Sequence, residues 1–148
     1  MKKLSVIIPT FNEENYIEKA LRSVRFADEI IVVDSFSSDK TVDIAKKNNC
    51  TAVQRQFDNF SNQKNFALQY ATGEWVLFID ADERIPFALK QEILNVIKNP
   101  KHAGYKLNFP HFYMNRFLYH HYDSVLRLVK RANCKFEGLV HEKLIIDG

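Results

Sequence analysis

Three short apolar runs, at residues 4–8, 29–33 and 75–79, each stop abruptly in a polar cluster, and the stretches around them carry helical spacing. Short runs rich in Val and Ile read as strands buried on both faces, with the intervening stretches as crossover helices. Tyr16, Ile17, Ala20, Leu21 and Val24 fall on one helical face, with Asn12 upstream as the N-cap. Ser38 or Asp39 caps a second helix through Ile44 and Ala45, residues 51–56 give a further strand, and residues 61–71 a helix stopped by Gly73. Pro86 opens a last helix with Leu89, Ile93 and Ile97 inward, ending near Asn99 and Pro100. Strand, helix, strand, helix predicts an α/β fold: a mostly parallel sheet with helices on both faces. Beyond Pro100 the alternating runs at 104–109, 125–129 and 139–146 predict mixed sheet and loop. No repeat, low-complexity tract or Gly/Ser linker divides the chain, so residues 1–148 read as one domain. Residues 1–100 form its nucleotide-type half, and residues 101–148 complete the site.

The polar clusters carry the chemistry. Pro9-Thr10-Phe11-Asn12-Glu13 follows the first strand, the stretch from Asp34 to Thr41 the second, and Asp80-Ala81-Asp82-Glu83 the strand at 75–79. In an open parallel sheet ligands bind beyond the carboxyl ends of the strands, so these clusters converge on one ligand. Asp80-Ala81-Asp82 offers hard oxygen donors one residue apart, which suits Mg or Mn and, through the cation, a diphosphate. The plainer reading is a pair of solvated loop carboxylates or a capping turn. A glycine-rich first turn is missing, which argues against dinucleotide-binding dehydrogenases, phosphate-loop NTPases and sugar-nucleotide pyrophosphorylases. A phosphorelay receiver would want acidic residues after the first strand, where Pro9-Thr10 stands, and a phosphorylatable Asp where Arg55-Gln56 stands.

Composition narrows the setting. The N-terminal apolar run is too short for a secretion signal, and none approaches the length of a membrane span. Cys50 and Cys134 lack metal-type spacing and read as idle thiols of a reducing, cytoplasmic compartment. The net charge of +3 is small and no nucleic-acid motif is present, so nucleic acid is not an expected partner. Arg127, Lys130, Arg131 and Lys135 cluster late, either as a solvated edge or as a face toward donor phosphates, a phosphorylated acceptor or an acidic membrane surface. Phe109, Phe112, Tyr113, Phe117, Tyr119, Tyr122 and His120-His121 make an aromatic segment suited to an acceptor wall, a lipid-headgroup contact or core packing.

Together, Ser5-Val6-Ile7-Ile8-Pro9-Thr10-Phe11-Asn12-Glu13-Glu14, the stretch from Ile31 to Thr41, Gln63-Lys64-Asn65-Phe66-Ala67 and Asp80-Ala81-Asp82 resemble glycosyltransferase family 2, of the Rossmann-like GT-A fold. Arg127-Leu128 and Gly138-Leu139-Val140-His141-Glu142 resemble its branch of bacterial lipopolysaccharide-core glucosyltransferases. The resemblance implies an inverting, metal-dependent transfer of a sugar, glucose or another hexose, from a UDP-sugar to a saccharide or lipid-linked saccharide of the cell envelope. It implies peripheral contact, if any, with the inner face of the membrane. Residues matching Thr10, Asn12, Glu13, Asp34 and Lys64 would hold the nucleotide, the carboxylate of Asp34 accepting from the base or ribose and Lys64 donating to a base carbonyl. The plainer alternatives are that Thr10 and Asn12 only shape the turn and cap the helix, and that Asp34 only caps a turn with Ser37.

By the same resemblance Asp82 binds the cation, Mn or Mg, and Asp80 lies at the ribose or the metal's outer shell. Glu142 leads as the base that takes the acceptor's proton, with Asp123 the alternative. His141 either ligates the metal or orients its neighbour, and Arg127 either reaches the diphosphate or is an ordinary strand arginine. The chain is shorter than the enzymes it resembles, so a nucleotide-sugar-binding fragment without catalysis is the rival expectation.

Overall fold

A computed structural model describes residues 2–107, 127–132, 134–137 and 143–146, the last two stretches by backbone alone. Its strands and helices alternate as β1 (Leu4–Thr10), α1 (Ile17–Ser23), β2 (Glu29–Asp34), α2 (Thr41–Lys47), β3 (Thr51–Gln54), α3 (Phe60–Leu68), β4 (Trp75–Phe78) and α4 (Phe87–Lys98). Four further strands follow: β5 (Gly104–Tyr105), β6 (Leu128–Lys130), β7 (Cys134–Glu137) and β8 (Lys143–Ile146). The main sheet runs β3-β2-β1-β4-β6-β5, and β7 pairs with β8 separately. β1 pairs in parallel with β2 and with β4, β2 in parallel with β3, and β6 runs antiparallel to both β4 and β5.

Alternation along the strands divides the core between the two faces. Val6, Ile8, Val32, Trp75 and Leu77 pack with Ile17, Leu21 and Ala45 and with Leu89, Ile93 and Ile97, so α1, α2 and α4 cover one face. Ile7, Ile31, Val33, Val76 and Phe78 face the other way onto Ala67 and Ala71, at α3 and just past it. The near-continuous apolar runs follow from burial on both faces.

Several local expectations need correction. The N-cap position of α1 is Tyr16, and Asn12 adopts a left-handed φ of 53° four residues earlier. Asn12 instead accepts at Oδ1 from the amide of Ser38, 2.8 Å away, tying the loops after β1 and β2 together. Lys40 occupies the N-cap of α2, while the neighbouring Asp39 takes the Thr41 amide at 2.9 Å. α3 starts at Phe60 behind the Asn59 side chain, which accepts from the Asn62 amide, and ends at Leu68. β3 stops at Gln54, β5 is only two residues long, and β7 is a strand that the sequence reading did not anticipate. Among the described residues no helix is long and apolar enough to cross a membrane.

Pro9 lies inside β1, an unusual place for a residue with no amide proton. β4 pairs with β1 only as far as Ile7 opposite Phe78, so Pro9 and Thr10 project past the end of β4 while β2 still flanks them. The chain leaves β1 toward β2 on one side and returns to β4 on the other. A crevice therefore opens at the point where strand order reverses, the place where α/β sheets bind ligands.

Candidate active site

That crevice is a cavity of about 620 Å³. From β1 and its loop it is lined by Pro9, Thr10, Phe11 and Glu13, and from the end of β2 by Ser35. Gln56 and Phe57 of the β3–α3 loop and Phe60 and Gln63 of α3 form another wall, and Asp80, Ala81 and Asp82 after β4 form the last. Strand order gives the site its long axis. The acidic wall follows β4 and the amide and aromatic wall follows β3, three strand spacings away, or about 14 Å.

Of the sequence-proposed residues, the cavity gathers Thr10, Glu13, Asp80 and Asp82. Asp34 is fully buried behind the wall. Its carboxylate accepts from Thr10 Oγ1 at 2.6 Å, from the amide and hydroxyl of Ser37 at 2.8 and 2.5 Å, and from Gln54 Nε2 at 3.3 Å. This set of donors, rather than a cation, compensates the buried charge, and it holds the ends of β1 and β2 in register. Asn12 and Lys64 do not line the cavity, although the Lys64 charge reaches Asp80.

Arg127 lies inward. Its guanidinium donates to both carboxylate oxygens of Glu83, at 2.8 and 3.1 Å, and to the carbonyl of Phe78 at 3.2 Å. Arg131 turns its Nε onto the Gly73 carbonyl at 2.8 Å, Lys130 is exposed, and the Lys135 side chain lies outside the described residues. Glu83 also accepts the Asp80 amide proton at 2.7 Å and donates its own amide to the Asp80 carbonyl at 3.0 Å. The acidic loop is thus a closed turn fastened to the start of β6.

Asp80 is open to the cavity yet crowded by protein atoms on its other sides. Crowding, then the Glu83 charge, pushes its carboxyl up to about 6, against the opposing influence of Arg127 and Lys64. Asp82, by contrast, is 5% exposed. No cluster of three or more His, Cys, Asp or Glu side chains is poised around one point among the described residues. Two carboxylates in a cavity of this size nevertheless fit a hard divalent cation, which commonly takes one or two carboxylates and completes its shell with water and substrate phosphates. Asp123, His141, Glu142 and the aromatic segment from Phe109 to Tyr122 lie outside the described residues.

A family model described as glycosyl transferase family 2 matches residues 5–145. The chain belongs to glycosyl transferase family 2. It is similar to an uncharacterized glycosyltransferase of Rickettsia bellii, 45% identical over 93 residues that make up 62% of this chain and 32% of that protein. The structure of S. aureus TarS 1-349 in complex with UDP superposes with a TM-score of 0.53 and 35% identity, covering 65% of this chain and 32% of that one. Glucosyl-3-phosphoglycerate synthase from Mycobacterium tuberculosis, solved with Mn2+, UDP and glucosyl-3-phosphoglycerate, superposes with a TM-score of 0.59 at 25% identity, over 70% of this chain and 42% of that chain. The chain therefore spans about a third of the length of such relatives, and its sheet has the GT-A architecture that the motifs implied.

Sequence reasoning passed over Phe57, Phe60, Gln63, Ser35 and Glu83 as site residues. Ser35 and Gln63 stand inside motifs whose weight went to Asp34 and Lys64. The spacing of Phe60 and Gln63, three apart at the start of a helix, places both on one face and was the available signal.

Proposed function

We propose that the cavity binds a UDP-sugar with a divalent cation, Mn or Mg, and that the family 2 domain transfers a hexose from it, with inversion, to a saccharide or lipid-linked saccharide acceptor of the cell envelope. The observation that carries this reading is the cavity itself, with carboxylates at one end and rings and amides at the other, at the switch point of the sheet. It is supported by the UDP present in the related TarS structure and by the UDP and Mn2+ in the related synthase.

Asp82, with Asp80, would hold the cation at the diphosphate. When bound, the cation supplies Lewis-acid stabilisation of the charge that collects on the leaving diphosphate. Glu83 and Arg127 keep the acidic loop in shape, and Thr10 and Glu13 border the space that the nucleotide would fill. In this reading Arg127 acts through Glu83, and Asp34 acts by holding Thr10 and Ser37 rather than by reaching the base. Glu142, or else Asp123, would take the acceptor's proton, so residues 101–148 complete a site that residues 1–100 begin.

Calorimetric titration with UDP and UDP-glucose, in Mn and again in chelator, tests the proposal. Binding that requires Mn and is lost in Asp82→Asn is expected. Equal affinity with and without chelator would remove the metal from the reading, and absence of any nucleotide binding would overturn it.

A further inference from the structure

The rim of the cavity away from the acidic loop contains a hydrogen-bond chain whose direction can be worked out atom by atom. Arg55 Nη1 donates to Gln63 Oε1 at 3.1 Å. A guanidinium can only donate, so the amide oxygen of Gln63 must face Arg55 and its nitrogen must face the other way. That nitrogen sits 2.8 Å from Ser35 Oγ and 3.4 Å from the Arg55 carbonyl. An amide nitrogen has no lone pair to accept with, so Ser35 Oγ is the acceptor and its own proton points elsewhere.

Gln63 is 1% exposed, so water does not scramble this arrangement. Arg55 is fixed in turn by Asp58, at 2.7 and 3.2 Å, and lies 5.9 Å above the Phe66 ring. Ser35 lines the cavity beside Gln63, with the edge-to-face pair Phe57 and Phe60, 5.0 Å between centroids, in the same wall. It follows β2, two strand spacings or about 10 Å from the acidic loop after β4. A ligand with its phosphates at that loop would present its base here.

We propose that Ser35 is a specificity-determining hydrogen-bond donor to a carbonyl oxygen of the donor's pyrimidine base, and that Arg55 and Gln63 are positioning residues that set the direction of its hydroxyl. This rests on the reading of the cavity as a UDP-sugar site. Gln63→Glu reverses the chain: the new carboxylate accepts the Ser35 proton, so the hydroxyl no longer donates into the cavity. Ser35→Thr keeps the donor.

The test is titration of UDP, and separately of inorganic pyrophosphate, into wild type, Ser35→Ala, Ser35→Thr, Gln63→Glu and the double variant Ser35→Ala/Gln63→Glu, all with Mn. Loss of one neutral hydrogen bond should weaken UDP about 3- to 10-fold in Ser35→Ala and in Gln63→Glu, with Ser35→Thr close to wild type. The double variant should be no weaker than either single one, and pyrophosphate affinity should not change. A purely structural role for Gln63 would instead add its loss to that of Ser35→Ala. Wild-type UDP affinity in Ser35→Ala, additive losses, or an equal loss for pyrophosphate would each overturn the inference while leaving the donor site standing. Failure of the wild-type protein to bind UDP would overturn the underlying reading and this inference with it.

Discussion

Removing one partner of the Glu83–Arg127 pair should be among the most damaging single changes in the described part of the chain. The two side chains are 1% and 9% exposed, and the pairing is bidentate. Glu83→Leu strands a guanidinium in the interior, a defect that costs about 3–5 kcal/mol. In a protein of this size each kcal/mol moves the melting temperature by about 2–4 °C, so a drop of about 10 °C is expected. Arg127→Met should cost a similar amount by stranding the carboxylate. Because desolvating both ions is itself expensive, the double variant Glu83→Leu/Arg127→Met should regain most of the lost stability. It should not regain donor binding, since Glu83 also holds the Asp80 amide and with it the shape of the acidic loop. Thermal and urea unfolding of the three variants, with UDP titration of the double variant in Mn, measures both effects. Single variants within about 1 kcal/mol of wild type would refute the reasoning on the ion pair. Wild-type UDP affinity in the double variant would refute the positioning role.

Further consequences follow from neighbouring contacts. Burial raises the Glu29 carboxyl, but hydrogen bonds from Ser5, Thr72 and Lys2 outweigh it and hold the group at about 2, against an ordinary 4.5. A carboxyl depressed in the folded state stabilises above its unfolded value and loses that contribution as pH falls through its folded value. That contribution should therefore disappear between about pH 4.5 and pH 2, and urea unfolding of Glu29→Gln should show a shallower acid dependence there. Gly73→Ala should destabilise by about 1–3 kcal/mol, because a Cβ would stand 2.7 Å from Ser5 Oγ and 2.8 and 2.9 Å from the backbone of Ser5 and Leu4; an unchanged melting temperature would contradict this. Asp82→Asn, nearly isosteric at a buried position, should keep a cooperative melt while losing Mn-dependent UDP binding.

The parts of the fold legible in the sequence were those set by short-range pattern. Val6, Ile8, Val32 and Leu77 announce buried strands, and Leu89, Ile93 and Ile97 the inward face of α4, because burial selects residue type with the period of the element. Convergence of the three strand ends followed from topology once the sheet was known to be parallel. What stayed hidden were partners distant in sequence. Nothing near Arg127 shows that it turns back 44 residues to Glu83, and the turn that Asp34 makes with Ser37 could be foreseen, but not that Thr10 and Gln54 join it on the same carboxylate. Asp34 and Arg127 have the residue types of ligand-binding groups, and only the long-range hydrogen bonds reveal that each spends its polar atoms on the protein. β7 escaped for a related reason: Cys134–Glu137 alternates charged and apolar residues over only four positions, too short to distinguish from a loop without its partner β8.

In the proposed binding mode one cavity holds a nucleoside diphosphate with its phosphates toward Asp80 and Asp82 and its base toward Ser35, Phe57 and Phe60. A crystal structure of the protein with UDP and Mn tests it most directly. Metal density at Asp82 with the uracil ring against the Phe57 and Phe60 wall is the expected result. UDP bound outside this crevice, or inside it with the base at the acidic loop, would contradict the claim.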